Sequence, residues 1–181
     1  MNPVCGRKLD IIAVYGLGTG AALGMLGTFV THDPTRQLLW GIDGVALVVA
    51  TALLSVKYLT AGRVFGATGF LVFAIGEGLI LSGTPAGLEG SVPSFGAGVA
   101  LWAAGLILTS WPRGFPAWVR FTGVLAAILF IVVAARIFLG EHLVPTAKPL
   151  PFFAYPLLVA TIVGWILDLR AAARPAMNGG R

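Results

Sequence analysis

The chain has a single cysteine, two histidines and little charge: only 10% of its 181 residues are Asp, Glu, Lys or Arg. A soluble domain carries roughly 25% charged residues, so this one cannot dress a water-facing surface. Cys5 alone can form neither an intramolecular disulfide nor a Cys-x-x-Cys redox pair. Catalytic motifs are also missing. No serine sits in a Gly-x-Ser-x-Gly-like turn near a mid-span histidine, and no His-Glu-x-x-His run is present. No aspartate pair of the intramembrane aspartyl protease type occurs, nor an Asp-x-x-Asp cluster of the kind used in metal-dependent phospholipid synthesis. Gly16-x-Gly18-x-Gly20 follows no strand and lies in an apolar run, so it is no dinucleotide fingerprint. An enzymatic role therefore has no motif to stand on. Net charge is +5, but no basic run is interleaved with aromatics, and no nucleic-acid partner is expected.

What remains is apolar. Hydrophobic residues make up 57% of the chain, mean hydropathy is +0.93, and there are 25 glycines. Residues 11–31 hold no charge. That run exceeds the roughly 7–15 residues of a signal-peptide core, and no small-x-small cleavage site follows, so it reads as a retained span. A helix needs about 20 apolar residues to cross the hydrocarbon core. Six segments qualify: 11–31, 38–57, 64–82, 93–111, 118–139 and 151–168. Apolar character all round each run excludes a barrel. The fold class expected is an all-α integral membrane protein, a compact bundle of six transmembrane helices. Residues 1–10 are expected as a cytoplasmic N-terminus, 11–170 as one transmembrane domain, and the Gly-containing stretch 171–181 as a flexible cytoplasmic tail.

Charge then orients the bundle. Arg7, Lys8, Lys57, Arg63, Arg113, Arg120, Arg170, Arg174 and Arg181 fall on one side, against Arg36, Arg136 and Lys148 on the other. The positive-inside rule places both termini in the cytoplasm. Trp111 and Trp118 then mark the inner interface and Trp40 the outer, while Trp102 lies mid-span as a packing or lipid-facing residue. Nine arginines against three lysines, with abundant Ala and Gly, suit a GC-rich bacterial genome, hence a cell inner membrane.

Gly16, Gly20 and Gly24 recur every four residues, and Gly62, Gly66 and Gly69 do nearly the same. Small residues at this spacing let helix backbones approach closely, either within the chain or across a homodimer. Pro156, inside the sixth apolar run, is expected to kink it. Tyr15-Gly16-x-Gly18 resembles Phe95-Gly96-x-Gly98, and Gly44-Val45 followed by Lys57 resembles Gly123-Val124 followed by Arg136. Spans one to three would then recur as spans four to six in a 3+3 inverted repeat, the plan of many secondary transporters; chance similarity in a Gly-rich chain is the competing reading.

Three charges sit too deep for loops: Asp43, Glu77 and Arg136. Counted from the apolar runs, each lies roughly 6–8 Å below the outer boundary at 1.5 Å per residue. Ionised groups at depth usually face a bundle interior or a wet cavity. One expectation is an outward-facing vestibule lined by these three, whose carboxylates would resist double ionisation. The other is an interhelical salt bridge with side chains snorkelling to the interface. A second constellation comprises His32, Asp33, Glu141 and His142 in two outer loops. Their chemistry suits a divalent metal or a haem, and solvated loop residues are the default; no cofactor is predicted.

Three functional readings follow. The first is a small channel or secondary transporter for an ion or small polar solute. The second is an accessory, assembly or structural subunit of a larger membrane complex. The third, and least favoured, is a membrane enzyme or cofactor carrier with the outer His and carboxylate residues as its only candidates. The lipid bilayer is the expected partner, with a homo-oligomer or larger complex as the further one. Six spans suit several groups of small channels and transporters, but none of their residue motifs is present.

Overall fold

The computed structural model describes residues 3–172; the tail from 173, with Arg174 and Arg181, lies outside the described residues. The elements are α1 (Pro3–Phe29), α2 (Asp33–Thr60), α3 (Val64–Gly83), a 3-10 turn (Thr84–Ala86), the one-turn α4 (Gly87–Gly90), α5 (Val92–Ser110), α6 (Ala117–Phe138) and α7 (Ala154–Ala172). There is no strand among the described residues. All the helices except α4 are long and apolar enough to cross a membrane, six in number. The chain is thus compatible with a polytopic membrane protein.

Helix boundaries differ from the apolar runs for local reasons. α2 begins at Asp33 because Pro34 suits the first helical turn and Asp33 complements the helix dipole. It therefore starts five residues before the apolar run does. α1 is already helical at Pro3, so residues 3–10 continue it rather than forming a separate segment. α7 starts at Ala154, after Phe153 and Ala154 donate backbone hydrogen bonds to the Pro149 and Pro151 carbonyls. Pro156 consequently falls in the first turn, where no intrahelical N–H bond is lost, and the kink expected from the sequence has no cause.

The six long helices form a closed ring in chain order. Each packs on the next, and α7 returns to α1. The most extensive interface joins α3 and α5. There glycines face glycines: a Cβ on Gly105 would lie 2.7 Å from the Gly69 carbonyl oxygen, and one on Gly98 equally close to that of Gly76. Aromatic rings fill the ring's centre. Phe73 and Trp102 stack in parallel with centroids 5.4 Å apart, Trp165 meets Phe70 at 4.9 Å, and Phe130 meets Trp102 edge-on at 5.3 Å.

The two ends of the bundle differ. At the Arg63 end, Lys57 pairs with Asp10 at 2.5 Å, linking α2 to α1. Arg63 stacks over Tyr58, 4.3 Å from its centroid. Arg120 donates to the Ser110 carbonyl at 2.8 Å, closing the C-terminus of α5. At the His32 end, Arg36 closes the α1–α2 turn through the Val30 and Thr31 carbonyls at 2.9 and 3.0 Å. Tyr155 donates to the Pro145 carbonyl at 2.9 Å, fixing the α6–α7 loop onto α7.

Gly62 does not serve helix packing, contrary to its place in the glycine series. It has φ +72° in the turn before α3, with nothing within 4 Å of a built Cβ. Only glycine adopts that backbone region without strain, so the residue makes the turn. Gly16, Gly20 and Gly24 face α2, and Gly66 faces the Tyr58 ring.

Candidate functional site

Seven-residue spacing along α2 brings Arg36, Asp43, Ala50 to one stripe, with Trp40, Leu47 and Leu54 between them. Such residues share one face of a helix. Asp43, Leu47, Ala50 and Leu54 are buried, and so is Arg36 at 7% exposure. α1 accommodates this stripe because it presents glycines to it. A Cβ at Gly20 would meet Leu47 and, at 3.1 Å, Asp43 Oδ1, while one at Gly27 would strike the Trp40 indole. Trp40 instead donates its indole N–H to the Gly24 carbonyl at 3.2 Å.

Asp43 lies ten residues into α2, about 15 Å along its axis. That is farther than from the start of the apolar run, because the helix begins five residues before it. Glu77 projects from α3 beside it. A Cβ on Gly44 would be 3.3 Å from Glu77 Oε1, and Glu77 is the ionisable neighbour of Asp43. Exposure is 9% for Asp43 and 2% for Glu77, so neither side chain snorkels to the interface. No Lys or Arg forms an ion pair with either among the described residues. Asp43 Oδ1, Glu77 Oε2 and Trp102 Nε1 are buried with no hydrogen-bond partner.

Both carboxyl groups line a cavity of about 80 Å³ bounded by α1, α2, α3, α5 and α7. A water needs roughly 10–15 Å³ of such space, so the cavity holds several. Leu47, Phe95, Trp102, Tyr155, Leu158 and Ile162 make up much of its wall, and Thr28, Asp33, Arg36, Thr84, Ser91 and Pro145 line it at the His32 end. On the Arg63 side of the carboxyls, the stacked pair Phe73–Trp102 and the edge-on rings of Phe70 and Trp165 occupy the bundle centre.

The structure does not bring Arg136 into this group. Arg136 stands on α6, which contributes nothing to the cavity wall. It is part-exposed and forms a two-pronged ion pair with Glu141, the Nε bond measuring 2.5 Å. The loop constellation is also dispersed. His32 Nδ1 meets Thr35 Oγ1 at 2.9 Å, Asp33 pairs with Arg36 at 2.9 Å, Glu141 is held by Arg136, and His142 Nε2 meets Glu89 Oε2 at 2.6 Å. No group of three or more His, Cys, Asp or Glu side chains suited to a metal occurs among the described residues.

Arg36, Phe95, Trp102 and Tyr155 were not expected at a site. The α2 stripe could have flagged Arg36, which lies seven residues before Asp43 on the same face. Trp102 both packs, on Phe73, and lines the cavity. No periodicity within α5 or α7 announces Phe95 or Tyr155, since both helices are apolar all round. No family model, curated protein or solved structure matches the chain. The functional reading accordingly stands on side-chain chemistry and geometry.

Proposed function

We propose that the chain is a small channel or secondary transporter for a cation or small polar solute. One observation carries this reading: two buried carboxyl groups from neighbouring helices share a cavity, and among the described residues no basic side chain pairs with them. An ionised carboxylate without a partner is costly in a low-dielectric interior, so a cation or proton must accompany it. Intramembrane ionisable residues of this kind mark ion or solute pathways by default. A structural salt bridge would have supplied its own counter-charge.

The bias of basic residues to the Arg63 end supports a cytoplasmic location for that end and for both termini. The cavity then faces outward, closed inward by the aromatic centre and by the Asp10–Lys57 pair. The inverted-repeat reading draws support from corresponding glycines: Gly16 packs α1 on α2, and Gly96 packs α5 on Ile137 of α6. In this reading, α1–α3 and α5–α7 move against each other, and the protein resides in a cell inner membrane.

The test is charge movement in proteoliposomes on a solid-supported membrane, challenged with inorganic and organic cations. Wild-type protein should give a transient or steady current with at least one cation, and Asp43→Asn and Glu77→Gln should abolish it. No current with any cation, together with stoichiometric co-purification of other membrane chains in mild detergent, would favour the accessory-subunit reading instead.

A further inference from the structure

We propose that the Asp43–Glu77 cavity binds a small organic ammonium ion with an apolar body, in preference to a bare metal ion or an anion. The inference deepens the transport reading and takes its biological sense from it. Asp43 and Glu77, both buried, line the same cavity, and one oxygen of each, Oδ1 and Oε2, is buried without a hydrogen-bond partner. Two carboxyl groups with no basic partner exclude an anion. An alkali or alkaline-earth ion wants six or more oxygen ligands in a shell around it. Besides the four carboxyl oxygens, the wall near the acids offers few others: the Gly24 carbonyl, which accepts from Trp40, and the Tyr155 hydroxyl, which donates to the Pro145 carbonyl. The other hydroxyls on the wall, Thr28, Thr84 and Ser91, lie in the turns at the His32 end, each bonded to a helix carbonyl.

Most of the wall around the acids is carbon, with the unpartnered Trp102 indole N–H set in it. Leu47, Phe95, Leu158 and Ile162 surround the acids, with the rings of Trp102 and Tyr155. Such a surface cannot replace the hydration shell of a small inorganic ion, whereas it suits the hydrocarbon part of an amine. An alkylammonium head supplies up to three N–H donors to the two carboxyl groups. Aromatic faces near a desolvated cation add attraction of about 0.5–2 kcal/mol. Arg36 at the mouth does not oppose entry as a free charge, because Asp33 and the Val30 and Thr31 carbonyls neutralise and hold it.

The experiment is scintillation-proximity binding of radiolabelled benzylamine to the purified full chain in detergent, at neutral pH where the probe is charged. Benzyl alcohol, NaCl and KCl serve as competitors. Saturable binding should appear, weakened at least tenfold by Asp43→Asn and by Glu77→Gln, with unlabelled benzylamine competing and benzyl alcohol at equal concentration not competing. Equal competition by benzyl alcohol would reduce the site to a greasy hole and overturn the proposal. Displacement by millimolar Na⁺ or K⁺ at constant ionic strength, or no saturable binding, would overturn it too. These competitions use wild-type protein, so they decide the matter even if the variants fail to fold. Benzylamine binding without flux in proteoliposomes would uphold the ligand class and defeat the transport reading. Inorganic-ion currents without amine binding would do the reverse.

Discussion

Asp43 of α2 rests on Gly24 of α1: a Cβ built at Gly24 would lie 2.6 Å from Asp43 Oδ2 and 3.0 Å from its Cγ. The acid occupies space that only a glycine leaves open, so helix packing and carboxyl position are the same contact. Gly24→Ala must push the carboxyl away or part the two helices. A loss of about 1–3 kcal/mol is expected from overpacking of this kind. Gly18→Ala, with nothing within 4 Å of its Cβ, is the control and should be neutral or stabilising by up to about 1 kcal/mol. Thermal unfolding of both variants in one detergent checks the difference.

At the α3–α5 seam the obstacle is backbone rather than side chain. A Cβ at Gly105 would lie 2.7 Å from the Gly69 carbonyl oxygen and 3.0 Å from the Phe73 nitrogen. Neither can swing aside. Gly105→Ala should therefore lower the unfolding temperature more than Gly78→Ala, whose Cβ meets nothing within 4 Å. Equal unfolding temperatures would mean that this seam is loose.

Glu77 is kept at a cost to the fold. Its Oε2 is buried without a partner, against an otherwise apolar wall. Replacing buried charge with well-packed apolar residues is often neutral or stabilising by about 1–4 kcal/mol. Glu77→Leu should thus unfold at the same or a higher temperature than wild type while losing any cation current. A clear drop in stability would assign the carboxyl a structural role.

Glu141 is expected to titrate low. The hydrogen bonds from Arg136 favour its charged form and hold its carboxyl below the ordinary glutamate range. A depressed native value contributes stability that is present above the ordinary range and lost as pH falls through the lowered one. The pair is exposed, so that contribution is small and screened by salt. Carbon-13 NMR of the Glu141 side-chain carboxyl should show the low midpoint, and Arg136→Gln should return it to the ordinary range.

Pro156→Ala separates the two readings of the last helix. A proline in a helix interior costs about 3 kcal/mol, so removing one there would stabilise strongly. In the first turn of α7 no hydrogen bond is at stake, and the change should stay within about 1 kcal/mol. Urea or thermal unfolding distinguishes these magnitudes.

Composition and run length alone determined that this chain makes six long apolar helices. Each run spans the hydrocarbon thickness, and in lipid a helix satisfies its own backbone. The same count picked out Asp43, Glu77 and Arg136, because a charge within an apolar run is visible in one dimension. Which of them share a cavity was not visible. That depended on the ring order, which puts α2 beside α3 and leaves α6 off the cavity wall. Helix starts were set by short-range chemistry, Pro34 for α2 and the Pro149–Phe153 turns for α7, which a hydropathy run does not register. The partners of the loop acids, Arg36 for Asp33 and Arg136 for Glu141, are local and were in reach of sequence reading. The Gly24 seat for Asp43, and the aromatic wall that Trp102 and Tyr155 bring to it, arise from contacts between helices. Helices that are apolar all round carry no signal of which face turns inward; only packing around the closed ring decides it.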